Sequence, residues 1–468
     1  MSEIPKIELD GAGTRRLDID FSAGQVSSDG GSVVLREADR HLGLGEALAA
    51  CFTDYRREDL IDHTVQELVT QRVFGLALGY EDLDDHDELA KDPLLATAVG
   101  KPDPTGESRK QSRGQALASS STLGRVERTK EDANSDSRYE KVVVDFDAME
   151  GVFLHAFITS YRGLIPERVV IDLDPSDVPL HGTQEERFFH GYYKSYCYLP
   201  MYVYSGEYPL SVEMRPSNID GAKGATELCK RIVKELRSVW PDTHIIIRAD
   251  SGFCRDELLS WCEETPFVDY VIGLAKNARL NKMIAKQAEQ ARREYLREGQ
   301  ASRTFKDLRY RTLNTWSRKR RVVAKAEHLA KGANPRFVVT SLSAKEFEKR
   351  YLYEDIYCAR GEMENRIKEV QLDLFGDRAS CHTFRGNALR FWFAMAAQLL
   401  VVTIRKVALV GTELARAQAG TLRTKLFKIG ALVTVSVRRI YVRLSSAFPR
   451  QELLALALSR LRAPAVLT

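Results

Sequence analysis

Residues 168–174, RVVIDLD, and residues 244–250, HIIIRAD, are short runs of branched apolar residues that each end in aspartate. Runs of this length and composition predict buried strands. A helical pattern at 222–239 separates them, and strand and helix patterns alternate throughout 141–275. This alternation predicts an α/β fold built around a mixed sheet, with the two terminal aspartates at the ends of strands.

Composition and periodicity change several times along the 468 residues. We predict a mostly helical N-terminal region at 1–100, a flexible linker or loop at 101–140, the first part of an α/β core at 141–275, a β-rich insertion at 276–350, the second part of the core at 351–410 and a basic region at 411–468. The linker prediction rests on a stretch rich in Ser, Arg and Lys, which can bury little apolar surface.

The charge of the chain is distributed unevenly. The net charge is only +4, but residues 301–468 contain 32 Lys and Arg against 13 Asp and Glu, so the first 300 residues carry a net −15. A basic C-terminal third favours a polyanionic partner such as nucleic acid. A basic surface that is merely solvated is the alternative that composition leaves open.

Cysteine usage and hydropathy indicate a cytoplasmic protein that does not interact with a membrane. The seven cysteines show no CxxC spacing, which indicates reduced thiols rather than disulfides or a zinc site. The N-terminus lacks the basic-then-apolar pattern of a signal peptide. The most apolar stretch, residues 391–404, is too short for a bilayer span and predicts a buried helix.

Acids at the ends of the two predicted strands form a candidate metal site. Because side chains alternate along a strand, Asp172 and Asp174 lie on the same face. Asp250 ends the second strand, where Ser251-Gly252 turns the chain. Ligand groups collect at strand ends in open α/β sheets, and hard cations such as Mg²⁺ prefer carboxylate oxygens. Either Asp172 or Asp174 would supply the first ligand, and a turn-forming role for each aspartate is the simpler alternative.

A helical pattern at 353–374 brings further polar groups together. Tyr357, Arg360, Glu364 and Lys368 fall at helical spacing on one face, beside an apolar stripe that can dock the helix on a core. Glu364 would then complete the metal site, and Arg360 and Tyr357 would hold phosphate oxygens. Solvated surface pairs of small energetic worth are the alternative for Arg and Glu on a helix.

Three segments of the chain resemble, in order, the catalytic motifs of DDE transposases of bacterial insertion sequences. They are Asp174-Pro175-Ser176, Arg248-Ala249-Asp250-Ser251-Gly252-Phe253 and Tyr357-x-x-Arg360-x-x-x-Glu364-Asn365. The chain is most similar to the insertion-sequence family numbered thirteen-eighty, which has a β-rich insertion before the glutamate. Further matching text includes Gly191-Tyr192-Tyr193, Gly273-Leu274-Ala275 and Lys425-x-x-Lys428-Ile429-Gly430-Ala431. The resemblance runs from about residue 15 to the C-terminus.

The resemblance implies a ribonuclease-H-like core that is interrupted by the β-rich insertion. It implies that Asp174, Asp250 and Glu364 are the catalytic residues and bind two Mg²⁺ ions, for which Mn²⁺ can substitute. Asp174 is preferred over Asp172 because the family's aspartate precedes an x-Thr/Ser pair. Two metal ions can activate a water or a 3′-hydroxyl and stabilise the leaving oxygen of an in-line displacement. The implied activity is cleavage and strand transfer at the inverted-repeat ends of a mobile genetic element.

The resemblance also implies the partner. The partner is double-stranded DNA, both the terminal inverted repeats, read mainly by region 1–100, and the target DNA. Because two ends must be brought together, a homodimer on DNA is expected. Tyr357 and Arg360 fall at DNA-contacting positions. The family usually has a lysine where this chain has Gln371, so either Lys368, one turn earlier, substitutes for it or the contact is lost.

The predicted insertion contains a basic run at 318–321 that is a further candidate DNA contact. Arg320 and Arg321 would counter phosphate charge, and a solvated hairpin is the alternative. Trp316 lies at the edge of this run. Related enzymes use an aromatic residue of the insertion to hold a flipped base, so Trp316 either stacks on DNA or packs within the protein.

Two other functions are compatible with the same motifs. One is a ribonuclease-H-like nuclease that cuts without strand transfer. The other is a non-catalytic DNA-binding protein derived from a transposase, against which the intact set of three acids argues.

Overall fold

The chain forms two compact units in a computed structural model that describes residues 7–9, 11, 15–109 and 111–463. The first, which we call the terminal unit, contains the described residues up to Asp145, together with Asp373–Phe375 and those from Ala396 onward. The second, the sheet unit, contains Phe146–Leu372 and Gly376–Met395. The ends of the predicted N-terminal and C-terminal regions, residues 1–6 and 464–468, lie outside the described residues.

Short strands alternate with helices along both units. In chain order, the strands are β1 (Ile7–Leu9), β2 (Leu17–Ile19), β3 (Gln25–Ser27), β4 (Phe52–Asp54), β5 (Val142–Val144), β6 (Arg168–Pro175), β7 (Val178–Pro179), β8 (Phe188–His190), β9 (Ser195–Tyr198), β10 (Met201–Ser205), β11 (Tyr208–Glu213), β12 (His244–Ala249), β13 (Val268–Leu274), β14 (Ser302–Tyr310), β15 (Arg320–Leu329), β16 (Gly332–Ala333), β17 (Arg336–Thr340), β18 (Ala431–Val435) and β19 (Ile440–Leu444).

The α-helices vary from single turns to a twenty-residue helix. In chain order, they are α1 (Ser32–Leu42), α2 (Leu44–Ala49), α3 (Val65–Leu78), α4 (Asp85–Leu89), α5 (Pro93–Val99), α6 (Ser120–Arg128), α7 (Phe146–Thr159), α8 (Ala225–Val239), α9 (Asp256–Glu264), α10 (Ala278–Met283), α11 (Ala285–Glu298), α12 (Lys349–Tyr351), α13 (Gly361–Lys368), α14 (Phe384–Thr403), α15 (Ala419–Leu422) and α16 (Gln451–Arg462). Tight 3₁₀ turns occur at Glu58–Leu60, Ser251–Phe253 and Cys358–Arg360, and wide π turns at Leu352–Tyr357, Glu369–Asp373, Ile404–Ala408 and Arg423–Phe427.

A large mixed sheet organises the sheet unit, and it confirms the predicted α/β class. Its strand order is β11-β10-β6-β12-β13-β17-β15-β14, with β16 beside β15. Strands β6, β12 and β13 run parallel to one another, and the other pairs are antiparallel. Ile245, Ile246 and Ile247 are all fully buried, which means that both faces of β12 are covered. A continuous apolar run is the pattern expected for a central parallel strand of this kind.

The segment at 276–350 contains four strands, β14 to β17, in agreement with its predicted β-rich character. Strands β17, β15 and β14 extend the same sheet beyond β13. Val322 and Val339 pack in the same apolar cluster as Ile272 of β13. The backbone N–H and C=O groups at the free edge of β13 need partners, and β17 provides them in antiparallel register.

The apolar stretch at 391–404 forms a buried helix, as predicted. One helical stretch among the described residues, Phe384–Ala408, has the length and hydropathy of a membrane span. However, 94% of its most apolar window is buried within the protein. Burial of this extent is typical of a core helix, which is apolar on all sides because it contacts other elements on all sides.

The terminal unit is more ordered than the sequence predicts. Thr64 and Glu67 form a reciprocal capping box at the start of α3. The predicted linker at 101–140 contains α6 and a buried segment in which Ala118 donates to the Gln71 side chain at 2.9 Å and accepts from it at 2.8 Å. Of the two alternatives for this segment, a flexible linker or a loop, the packed residues around Ala118 fit a loop, because Gln71 supplies the hydrogen bonds that a buried loop needs.

The N-terminal and C-terminal regions belong to one unit, which no local pattern indicated. Strand β18 pairs with both β3 and β19. Next to β3, the buried Asp29 accepts from Tyr80 Oη at 2.6 Å and lies 2.7 Å from Lys428 Nζ. Gly30 and Gly31 donate backbone hydrogen bonds to Ile429 and Phe427. A Cβ on Gly31 would lie 2.1 Å from the Leu426 carbonyl oxygen, so this close approach requires glycine.

We predict that Gly31→Ala destabilises the protein by about 3 kcal/mol or more, because the added methyl group overlaps a backbone carbonyl that cannot move freely. Gly430→Ala is the matched control, since a Cβ there meets nothing within 4 Å. The control should stay within about 1 kcal/mol of wild type. Urea unfolding of the full chain measures both variants. Equal stability of the two would contradict the packing described for Gly31.

Candidate active site

Two aspartates lie side by side at the carboxyl edge of the sheet. The parallel pairing of β6 and β12 sets Leu173 opposite Ala249. The next residues, Asp174 and Asp250, therefore lie level with each other; Asp174 still pairs with Tyr202 of β10, and Asp250 directly follows β12. One oxygen of Asp250 accepts from the Gly252 N–H at 2.8 Å, in the tight turn that ends the strand. Both aspartates are partly exposed, so their carboxylates are available at one edge.

Asp172 has a different role from Asp174. It lies opposite Arg248 in the sheet register, and the Arg248 guanidinium donates to both of its oxygens, at 2.7 Å through Nη2 and also through Nε. Both side chains are buried. The third contact of Arg248 is a hydrogen bond from Nη1 to the Ile356 carbonyl. Asp172 is thus occupied by a buried arginine that also holds the following helical segment, which leaves Asp174 as the strand-end acid that faces the site.

A helical segment at 349–368, which we call the glutamate helix, supplies the third acid. Its turns are not uniform, because a wide π turn at Leu352–Tyr357 is followed by a tight turn at Cys358–Arg360 and then by α13. Wide turns of this kind occur frequently at functional sites. The predicted apolar stripe is buried through Met363 and Ile367. The opposite, more exposed side presents Glu364.

Arg360 joins the glutamate helix to the strand end. Its Nη1 donates to Asp174 Oδ2 at 3.1 Å, and its Nη2 donates to Glu364 Oε1 at 3.0 Å. Burial raises the pKa of Asp174 to about 7; Arg360 opposes this shift, and the carboxylates of Asp250 and Glu364 add to it. The three acids therefore act on one another electrostatically, and one guanidinium provides the positive charge between two of them.

The residue types at this site fit a divalent cation, although the arrangement is not that of a preformed site. Carboxylate oxygens are the ligands that Mg²⁺ prefers. Within the described part of the chain, however, no three His, Cys, Asp or Glu side chains are grouped closely enough to hold a metal ion. The contacts of Arg360 provide the physical reason, because its guanidinium lies between Asp174 and Glu364. A bound metal ion would neutralise the carboxylates that Arg360 neutralises here.

Tyr357 reaches the site next to Gly273 of β13, which has no side chain. A Cβ on Gly273 of β13 would lie 2.7 Å from the Tyr357 hydroxyl oxygen and 2.9 Å from the Ser251 backbone nitrogen. The absence of a side chain at Gly273 therefore lets the tyrosine reach the end of β12. Sequence reasoning missed this role, and the only signal for it was the match at Gly273-Leu274-Ala275.

A family model and a solved structure are similar to this chain. A family model described as "Transposase DDE domain group 1" matches residues 10–465. The chain belongs to this family. No curated protein matches. A similar solved structure is described as "Cryo-EM structure of piggyBac transposase synaptic complex with hairpin DNA"; it has 12% identity and a TM-score of 0.40, and the match covers 93% of this chain and 82% of that chain. The predicted resemblance to a DDE transposase is confirmed at the level of the family.

Gln371, at the position where the resemblance implies a lysine, makes contacts within the protein. Gln371 Nε2 donates to the Ser176 hydroxyl at 3.2 Å and to the Asp177 carbonyl at 3.1 Å. It therefore fixes the loop that follows Asp174. Lys368 is exposed one turn earlier, so its role as a substitute DNA contact stays a prediction.

Three predicted DNA contacts lie inside the protein. Trp316 is buried and packs edge-on against Tyr310 at 5.8 Å between ring centroids. Arg320 and Arg321 are also buried, and their Nε atoms each lie 2.7 Å from a carboxylate, of Glu263 and Asp307 respectively. These contacts support the end of the sheet, and they correct the expectation that Trp316, Arg320 and Arg321 face DNA. Because side chains alternate along β15, Arg320 and Arg321 lie on opposite faces of the sheet, and a carboxylate neutralises each of these buried cations.

We predict that Asp172→Asn destabilises the protein by about 3–5 kcal/mol, because it leaves the buried Arg248 without its charged partner. Asp174→Asn, two residues along the same strand, is the matched control and should fold. Urea unfolding distinguishes the two variants. If Asp172→Asn kept wild-type stability and lost only DNA cleavage, Asp172 would again be a candidate metal ligand.

The raised pKa of Asp174 predicts a stability that depends on pH. A carboxyl whose pKa rises from 3.8 in the unfolded chain to about 7 in the folded protein binds its proton more tightly when folded, so stability falls as pH rises between these values. Asparagine does not ionise. Without metal, Asp174→Asn should exceed wild type by on the order of 1–3 kcal/mol near pH 8 and lose this advantage near pH 4. Urea unfolding at both pH values is the measurement, and a variant less stable than wild type near pH 8 contradicts the prediction.

Proposed function

We propose that the chain is the transposase of a bacterial insertion sequence of the group numbered thirteen-eighty, and that Asp174, Asp250 and Glu364 bind Mg²⁺ in its active site. The observation behind the proposal is that the two strand-end aspartates lie in register while one guanidinium bridges Asp174 and Glu364. Several acids around one exchangeable positive charge suit divalent ions. We take two ions as the expected number and Mn²⁺ as a working substitute.

We further infer a ribonuclease-H-like core. The first five strands of the large sheet have the order β11-β10-β6-β12-β13, in which an antiparallel group of three is followed by two strands parallel to β6. This order supports the inference, because it puts Asp174 and Asp250 on the adjacent ends of parallel strands. In open α/β sheets, the carboxyl ends of the strands are where ligands bind.

Each residue of the site would have a separate role in the reaction. Bound divalent ions would supply an activated water or 3′-hydroxyl and stabilise the leaving oxygen. Asp174 and Asp250 are anchored on strands and would set the position of the ions, and Glu364 would close the site from the helix. Once Arg360 leaves Asp174, its guanidinium is free to bind phosphate oxygens. The Tyr357 hydroxyl, held above Gly273, would orient the same phosphodiester.

The same site would first cleave a strand at the end of the element and then join that end to target DNA. The protein would act in the bacterial cytoplasm. We expect region 1–100 to bind the inverted repeats and the chain to act as a homodimer, because two ends must be joined in concert. The excess of basic residues at 301–468, 32 Lys and Arg against 13 Asp and Glu, supports backbone contacts to DNA.

We predict that Asp250→Asn and Glu364→Gln each reduce Mg²⁺-dependent cleavage to background, because each removes a charged oxygen ligand. The substrate is a supercoiled plasmid that carries the DNA flanking the reading frame, and nicked and linear products are measured on gels. Asp355→Asn, an exposed acid of the same helix, is the matched control and should cleave like wild type. Wild-type cleavage by the Asp250 or Glu364 variant would remove that acid from the active site.

A second assay separates transposition from simple nuclease action. The wild-type protein is given a pre-cleaved end with a free 3′-hydroxyl, together with an unrelated plasmid. Joined products support the proposed transposase. Cleavage without any joining would instead indicate a nuclease, and binding without either reaction would indicate a non-catalytic DNA-binding protein.

A further inference from the structure

A small hairpin beside the candidate active site presents aromatic rings to solvent. Strands β8 and β9 pair so that Phe189 lies opposite Tyr196, and their rings contact edge-on with centroids 5.6 Å apart. The connecting turn contains Tyr192, whose ring contacts Tyr193 at 5.0 Å. We call residues 187–196 the aromatic hairpin. Its other face is packed, since Cys197 is fully buried.

The exposure of these rings is unusually high for such large apolar groups. Tyr192 is 82% exposed, Phe189 59% and Tyr196 44%. Single exposed apolar side chains need no explanation, but three large exposed rings on one short hairpin indicate a surface that binds a ligand. Tyr and other aromatic residues supply large, rigid contact area for such binding.

Positive charges accompany the rings. The Arg187 guanidinium lies 4.2 Å from the centre of the Tyr196 ring. Lys194 is exposed and adopts a left-handed backbone conformation, with φ +57°, as its N–H donates to the His190 carbonyl at 2.8 Å. Planar rings interleaved with cations are the combination that binds a single nucleic-acid strand, because every base has a face that can stack and every linkage carries a phosphate.

The short strand β7 connects the hairpin to β6, the strand that carries Asp174. Strand β7 follows the short loop after β6, and its Val178 pairs with Tyr198 of β9. Burial raises the pKa of Tyr193 to about 12, and the carboxylates of Asp177 and Asp174 contribute to the rise. Tyr193 therefore lies on the side of the hairpin near the acids, whereas the neighbouring Tyr192 extends into solvent.

We propose that the aromatic hairpin binds unpaired bases of the DNA strand that enters the active site, with Tyr192 as the principal stacking residue. The proposal rests on the proposed function, since it names the form of DNA held beside the acids. Bases in a duplex already stack on their neighbours and hide their faces, so an exposed ring gains contact only with an unpaired base. Arg187 and Lys194 attract the flanking phosphates. The hairpin would thus stack on bases, a role considered for Trp316 but excluded by the burial of that ring.

Tyr192→Ala tests the proposal by binding rather than by catalysis. The probe is an oligonucleotide of about 20 nucleotides with a central 2-aminopurine, used as a single strand and as a matched duplex. We expect Tyr192→Ala to weaken single-strand binding roughly 5- to 100-fold, to change duplex binding less than about twofold and to abolish quenching of the 2-aminopurine. Tyr192→Trp should retain both signals. Phe267→Ala is the control. Phe267 is 56% exposed, but it precedes β13 at the amino-terminal end of the parallel strands, whereas Asp174 lies at their carboxyl end.

The assay is repeated in the Asp250→Asn background without Mg²⁺, so that its outcome does not depend on cleavage. Loss of single-strand binding in Tyr192→Ala supports the hairpin surface even if the wild-type protein proves unable to cleave DNA. Unchanged single-strand binding and quenching overturn it even if the wild-type protein cleaves DNA. A lower sedimentation mass of Tyr192→Ala with unchanged DNA binding would also overturn it, because the rings would then contact a second copy of the chain.

Discussion

The contact that most of the site depends on is the buried interaction of Arg248 with Asp172 and the Ile356 carbonyl. A buried guanidinium is costly unless its donors have partners, and these partners come from the adjacent strand β6 and from the glutamate helix. Satisfying Arg248 therefore positions the helix against the ends of the strands. Ile356 immediately precedes Tyr357, so the same contact fixes where the tyrosine, and one turn later Arg360, face the two strand-end aspartates.

Arg248 and Arg360 show how the same chemical group serves two purposes at different depths. Arg248 is enclosed, and its partner Asp172 has a side chain only 3% exposed, so this ion pair is permanent. Arg360 bridges Asp174, 17% exposed, and Glu364, 47% exposed. Solvent can screen part of the carboxylate charge that Arg360 neutralises, and a divalent ion could neutralise the remainder. Arg360 thus keeps the mutually repelling acids together in the absence of metal. Because its partners are more exposed than Asp172, its contacts are easier to break than those of Arg248.

Local pattern was sufficient for the two strands whose carboxyl ends bear Asp174 and Asp250 and for the glutamate helix, because these depend on periodicity and on neighbours close in sequence. It failed where the partner is distant in the chain. Nothing local shows that Gln71 binds the backbone of Ala118 or that β18 pairs with β3. Similarly, the charge of Arg320 suggested DNA, but its partner Glu263 lies on another element, and only the fold brings the two together.

Position along a single strand decides between a structural and a chemical role for otherwise identical side chains. Asp172 and Asp174 share a face of β6, and the sequence alone cannot separate them. Two residues toward the carboxyl end move a carboxylate from an enclosed place, where a fixed arginine must neutralise it, to an edge where the neutralising cation can be exchanged. The aromatic residues differ in the same way, because Trp316 is enclosed by its neighbours whereas Tyr192 projects from the turn of the separate small β8–β9 hairpin. Position in the fold, and not residue type, therefore decides which of these side chains stay accessible to a ligand.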